Sequence, residues 1–183
     1  MKRRLVLAVL AAALLLGAVS QAGAEVRLDF DIPIIVAAGL NISDLTGTSS
    51  YSYDLSSLHI PLPYVELAYQ FGGTPFRGGV GIRSYTLLIE FMGWPMGYVE
   101  LDLSPIVLRA ELGGFAFFLL GVYNDFQCNG YTLKTLIPDV QVSYAFAPWF
   151  RAGVGVLAIA PLGNTNNFGW LFYINARFVL AFK

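Results

Sequence analysis

Between Glu25 and Ile34 the chain alternates without a break: Val26, Leu28, Phe30, Ile32 and Ile34 on one parity, Glu25, Arg27, Asp29 and Asp31 on the other. Successive side chains of a strand point to opposite faces, so this run makes a ribbon with one apolar and one charged side. The last segment repeats the pattern. Trp170, Phe172, Ile174, Ala176, Phe178, Leu180 and Phe182 share one face, and Tyr173, Asn175 and Arg177 share the other. A period of two held this long is a strand signal, not a helix signal.

An internal repeat sets the register between these ends. Val65–Phe71 is followed by Gly72-Gly73-Thr74-Pro75 and then Phe76-Arg77-Gly78-Gly79-Val80-Gly81-Ile82. Val140–Phe146 is followed by Ala147-Pro148-Trp149 and then Phe150-Arg151-Ala152-Gly153-Val154-Gly155-Val156. A weaker copy runs from Tyr98 through Ser104-Pro105 to Ala110. Each unit reads as strand, short Pro- or Gly-bearing turn, and strand with an early arginine. The spacing predicts strands near 25–36, 58–71, 76–87, 94–104, 106–122, 135–146, 150–161 and 168–183. The long connections fall at 37–57, 88–93, 123–134 and 162–167.

Composition decides where such a sheet lives. Apolar residues make up 56% of the 183, and the mean hydropathy is +0.63, above what soluble domains carry. Lys2, Arg3 and Arg4, an apolar run from Leu5 to Gly17 and the small-x-small site Ala22-Gly23-Ala24 have the form of a secretory signal peptide. The expectation is residues 1–24 as a cleaved signal and 25–183 as one domain. The longest later apolar runs, Leu112–Tyr123 and Ala152–Leu162, are shorter than a helical span of about 20 residues and contain glycine. A closed barrel is the other way to satisfy a backbone in lipid. Cys128 stands alone, so no internal disulfide forms.

On the parity set by the repeats, Arg27, Arg77, Arg83, Arg109, Arg151 and Arg177 face inward with Glu25, Asp29, Asp31, Glu66, Glu100, Asp102, Glu111 and Asp139. A soluble sandwich or lipocalin would turn that face to water, because the alternation alone fits either architecture. The breadth of the apolar face, the signal and the aromatic ends favour the membrane. Tyr69, Phe71, Phe76, Tyr144, Phe146, Trp149, Phe150 and Phe182 belong at the turn end, and Trp94, Phe168 and Trp170 at the loop end. The fold expected is all-β, an eight-stranded antiparallel up-and-down transmembrane barrel. Its tight turns and termini face the periplasm.

With these residues placed, the chain resembles the small eight-stranded outer-membrane proteins, the group that holds the OmpA barrel, OmpX, OmpW, PagP and PagL. The resemblance spans the mature chain and lies in the hairpin repeats and terminal strand. It implies insertion into outer-membrane lipid, with periplasmic chaperones and the barrel-assembly machinery as partners in biogenesis. The terminal aromatic of that group sits one residue in, because Lys183 follows Phe182.

Three functions are weighed. An enzyme would need a catalytic group, and the one imidazole, His59, stands near Ser56, Ser57 and Asp54 at the outer rim. The His-x-Ser pattern of PagL-like deacylases is absent, since Ile60 and Pro61 follow. A PagP-like acyltransferase would need an N-terminal amphipathic helix, and the first strand leaves no room for it. An OmpW-like conduit for small or apolar solutes needs an apolar lumen, and the inward charges predict a paired, closed one instead. The inward glycines Gly79, Gly81, Gly153 and Gly155 are expected under large groups such as Tyr85 or an arginine. Placed first is a non-enzymatic, monomeric surface or structural barrel with no cofactor, offering loop 37–57 to an extracellular partner. A narrow OmpW-like conduit for small or apolar solutes stands second and a lipid A-modifying enzyme a distant third. Nucleic acid is excluded as a partner: three of eleven basic residues sit in the first 24, leaving eight against twelve acidic ones and no basic stripe.

Overall fold

The computed structural model describes residues 24–43, 50–54, 59–87, 90–121, 128–162 and 168–182. The expected signal peptide lies outside the described residues, except for Ala24. Among the described residues nine strands form: β1 (Glu25–Ser43), β2 (Ser50–Asp54), β3 (Tyr64–Gly73), β4 (Phe76–Leu87), β5 (Glu90–Leu103), β6 (Ile106–Gly121), β7 (Asn129–Ala147), β8 (Phe150–Pro161) and β9 (Phe168–Phe182).

All except β2 make one closed antiparallel barrel, and the chain is all-β among the described residues. Each strand pairs with the next around the ring, and β1 closes on β9 from Val26↔Phe182 to Asn41↔Phe168. Closure leaves the eight strands no free edge, which is how an antiparallel sheet satisfies its whole backbone. The short turns at Thr74-Pro75, Ser104-Pro105 and Pro148-Trp149 lie at the same end as both termini of the barrel domain.

The strands outrun the sequence-based boundaries at the opposite end. β1 continues to Ser43, and β2 folds back on it from Gly39↔Asp54 to Ser43↔Ser50, inside the expected loop 37–57. The pairing of β1 with β9 slips between Ile35 and Ala37. This bulge reverses the parity, so Ala38 joins Ile35 on the buried side. β5 starts at Glu90 and β7 at Asn129, earlier than expected. A second irregularity hides the start of β7: Gly114 and Phe115 take positive φ (109° and 65°), and pairing resumes at Ala116↔Thr132. β3 begins later than expected, at Tyr64, because Pro61 and Pro63 cannot donate to a ladder.

The outer wall is apolar on every barrel strand. Val26, Leu67, Val80, Val99, Leu112, Val142, Val154 and Leu180 all stand exposed. A contiguous apolar surface of this extent marks a face that meets a membrane or a partner rather than water. At the turn end the aromatic cluster forms as expected, with Trp149 stacked on Phe178 at 6.2 Å and Phe146 5.8 Å from Phe150. Trp94 departs from the expected rim position: it is buried inside the barrel. β5 pairs with β4 without a slip from Leu101 to Glu90, so the even positions that bring Glu100 inward bring Trp94 inward too.

The inward glycines are seats for neighbours. A Cβ at Gly79 would strike the Tyr98 ring, and one at Gly155 would strike Tyr173. Gly81 and Gly153 instead meet the backbone of the adjoining strands at Ala68 and Ser143. Large groups are expected over these positions, and at Gly79 and Gly155 the nearest are Tyr98 and Tyr173 rather than Tyr85 or an arginine. Each ring crosses to the glycine of the next strand because that is where the wall is hollow.

Candidate functional site in the barrel lumen

The lumen is the place where chemistry-bearing side chains converge, and it has two halves of different character. In the middle it is packed with charge, and at the turn-end mouth a polar cavity of about 370 Å³ opens between Glu25, Arg27, Arg77 and Arg151. Arg27, Arg83, Arg109, Arg151 and Arg177 are buried with Asp29, Asp31, Glu66, Glu100, Glu111 and Asp139. Arg77 adds a sixth guanidinium at 23% exposure, matching the six carboxylates. Glu25 and Asp102 stand lower, at the turn-end mouth, where Asp102 meets Arg77 at 3.3 Å.

Two knots make up this filling. In the lower one Glu100 accepts from Arg27 at 2.9 Å, Arg151 at 2.8 Å and Arg77 at 3.3 Å. Arg27 also holds Asp29 in a two-pronged pair at 2.8 and 2.9 Å, the geometry a planar guanidinium fork is made for. In the upper knot Arg83 donates to Asp139 at 2.7 Å and to Glu111 at 2.5 Å. Arg109 donates to Glu66 and, at 3.2 Å, to Glu111. Arg177 donates to Asp31 at 2.8 Å and to the Tyr64 hydroxyl. Arg109 and Arg177 reach Asp29 at 3.9 and 3.4 Å, so the two knots are one network.

Arg27–Asp29 and Arg109–Glu111 are pairs within one strand, and the others cross between strands. Arg27 on β1 meets Glu100 on β5, and Arg83 on β4 meets Asp139 on β7. Burying an ion costs several kcal/mol, so the arrangement is tolerable only because each charge faces an opposite one.

Charge-seeking along the sequence missed the neutral members. Gln141 donates to Asp139 at 3.0 Å, Tyr173 to Asp139 at 2.6 Å, Asn175 to Asp31 at 2.8 Å and Tyr64 to Asp31 at 2.8 Å. Tyr98 donates to Gln70 at 3.0 Å and lies under Arg109, whose guanidinium carbon is 3.6 Å from the ring centre. All stand on the inward parity, which was the signal available.

Above the network, at the loop end, the lumen turns apolar. A cavity of about 540 Å³ is bounded by Tyr85, Met92, Trp94, Phe117, Ile137 and Leu157, with Leu62, Leu119, Thr135, Ile159 and Leu171 completing its wall. The sequence-based expectation of a lumen without an apolar part is therefore corrected. The residues that line this cavity carry no charge, and the buried arginines and carboxylates of the network sit below them.

His59 is exposed and outside the strands, and residues 55–58, with Ser56 and Ser57, lie outside the described residues. No cluster of three or more His, Cys, Asp or Glu side chains placed to hold a metal ion occurs among the described residues.

Among solved structures, the chain is similar to Neisserial surface protein A, at 16% identity over 85% of this chain and 98% of that one, with a TM-score of 0.45. It is also similar to Ail, the attachment invasion locus protein of Yersinia pestis, at 6% identity over 86% and 97%, with a TM-score of 0.41. No family model and no curated protein matches the chain.

Proposed function

We propose that this chain is an integral outer-membrane barrel of the bacterial cell surface, exported by a signal peptide at 1–24. Its role is structural or surface-interacting rather than catalytic, and its lumen is closed to ions. The apolar outer wall with its turn-end aromatic cluster supports the membrane setting. The observation that carries the closed lumen is the cross-barrel network: six guanidiniums interlock with six carboxylates where an eight-stranded barrel is only wide enough for side chains. Outer-membrane lipid is the solvent of the outer wall in this reading. The β1–β2 hairpin, which rises beyond the ring within the span 37–57, is the surface offered to an extracellular partner. Chaperones and the assembly machinery act only in biogenesis.

Orientation supplies the test. Cys128 is exposed beside the start of β7, at the loop end. A membrane-impermeant maleimide should label it on intact cells, and Cys128→Ser should abolish the signal. Labelling only after the envelope is broken would refute the surface placement. Boiled and unboiled samples should also migrate differently in a detergent gel.

A further inference from the structure

The apolar cavity lies directly above the charge network. Arg83 sits one inward position below Tyr85, Asp139 one below Ile137, and Tyr173 one below Leu171, with its hydroxyl on Asp139. The floor is therefore ionic and hydrogen-bonded, while the walls are apolar. A solute entering from the loop end meets a dead end.

The shape of the space narrows what fits. Each of β5, β6, β7 and β8 contributes two successive inward residues to it, such as Met92 with Trp94 or Leu157 with Ile159. Two positions along a strand cover only about 7 Å, too shallow for a long extended chain. Yet the volume of about 540 Å³ is several times the roughly 150 Å³ apolar cavity that takes up benzene. The space is broad and shallow.

Its walls are also unlike one another. On one side Tyr85, Trp94 and Phe117 form a ladder of rings with centres 5.2 and 5.7 Å apart, and Tyr64, 5.0 Å from Tyr85, continues it into the charge network. Gly113 makes this possible, since a Cβ there would strike the Trp94 indole. The other side is aliphatic, with Ile137, Leu157 and Leu171.

We propose that the loop-end half of the lumen is a binding site for a flat, uncharged apolar molecule of two or more fused rings, held between the aromatic ladder and the aliphatic wall. Rings prefer offset-stacked or edge-on partners of this kind, and pockets of a few hundred Å³ are the size that encloses small ligands. The inference rests on the closed network as the floor of the site. A conductance measurement tests that floor separately, so failure of one is distinguishable from failure of the other.

Contact quenching of Trp94 tests the site. In the Trp149→Phe/Trp170→Phe variant, Trp94 is the remaining tryptophan. The barrel is placed in phosphatidylcholine nanodiscs and titrated with 1-bromonaphthalene, whose bromine quenches indole only on contact. The site predicts saturable quenching that unbrominated naphthalene reverses. Adding Leu157→Phe and Leu171→Phe, which part-fill the gap between the aromatic ladder and the aliphatic wall with two rings, should weaken the apparent affinity at least tenfold while heat-modifiable gel migration stays normal. Should the filled variant fail to fold, Leu171→Phe alone is used, with at least a threefold loss expected. Quenching that rises linearly without saturation, or that is unchanged in the folded filled variant, overturns the proposal. Displacement by dodecanol but not by naphthalene overturns the assignment of ligand shape.

Discussion

The two halves of the lumen are built by the same strands on the same parity, yet they solve opposite problems. The turn-end half packs ionised groups so that no charge is left alone, and Glu100 alone serves three arginines. The loop-end half has no charge among its lining residues and does not fill its space. An eight-stranded barrel can be filled by side chains, so the cavity is not forced by geometry. It comes from the choice of residues such as Met92, Thr135 and Ile159 where the other half carries long arginines. The contrast shows how one scaffold pairs charge across its lumen at one level and leaves apolar room at another.

Substitutions that upset only one half sharpen this contrast. The largest effect is expected from Glu100→Gln, which leaves Arg27, Arg77 and Arg151 facing one another without their shared carboxylate. Breaking a buried pair costs about 3–5 kcal/mol, to be read from urea unfolding in lipid vesicles. Removing Arg151 as well, by Arg151→Met, should recover part of that loss, because Glu100 is the carboxylate it pairs with and the repulsion is then smaller. A null effect of Glu100→Gln would mean that the network carries no net charge-pairing energy.

At the same height but on the outer wall, Val140 is 55% exposed between the inward Asp139 and Gln141. Val140→Arg should cost about 2–4 kcal/mol if that wall lies near the bilayer midplane, and nothing comparable if it faces water. In the apolar half, Leu157→Ala should cost about 2 kcal/mol, the low end for buried leucine, since part of the side chain already borders a void. The smallest effect belongs to Arg77→Ala, at about 0–1 kcal/mol, because its side chain is 23% exposed and its two ion pairs are both 3.3 Å long. Each of these two is checked in the same unfolding assay.

The architecture was legible because period-two alternation carries it directly. The three tight turns with their arginine-bearing second strands gave the pairing, and the inward parity of Arg27, Arg83 and Asp139 followed without any structure. What stayed hidden lay past irregularities. The slip after Ile35 resets the parity of β1, and the positive-φ pair Gly114-Phe115 shifts the register of β6 against β7, so the upper segments of β1 and β7 read as loop. Trp94 was placed at the rim from its residue type, although its even number already put it with Glu100. The cavity was missed for a related reason. Charged residues announce an interior, whereas Ile137 and Leu157 look the same whether they face lipid or lumen.

Ion conductance in planar bilayers tests the central claim of a lumen closed by paired charge. Folded protein reconstituted in 1 M KCl should raise no discrete current steps, because the network fills the lumen beneath the apolar cavity. Stable open-channel steps from the wild-type chain would contradict the account.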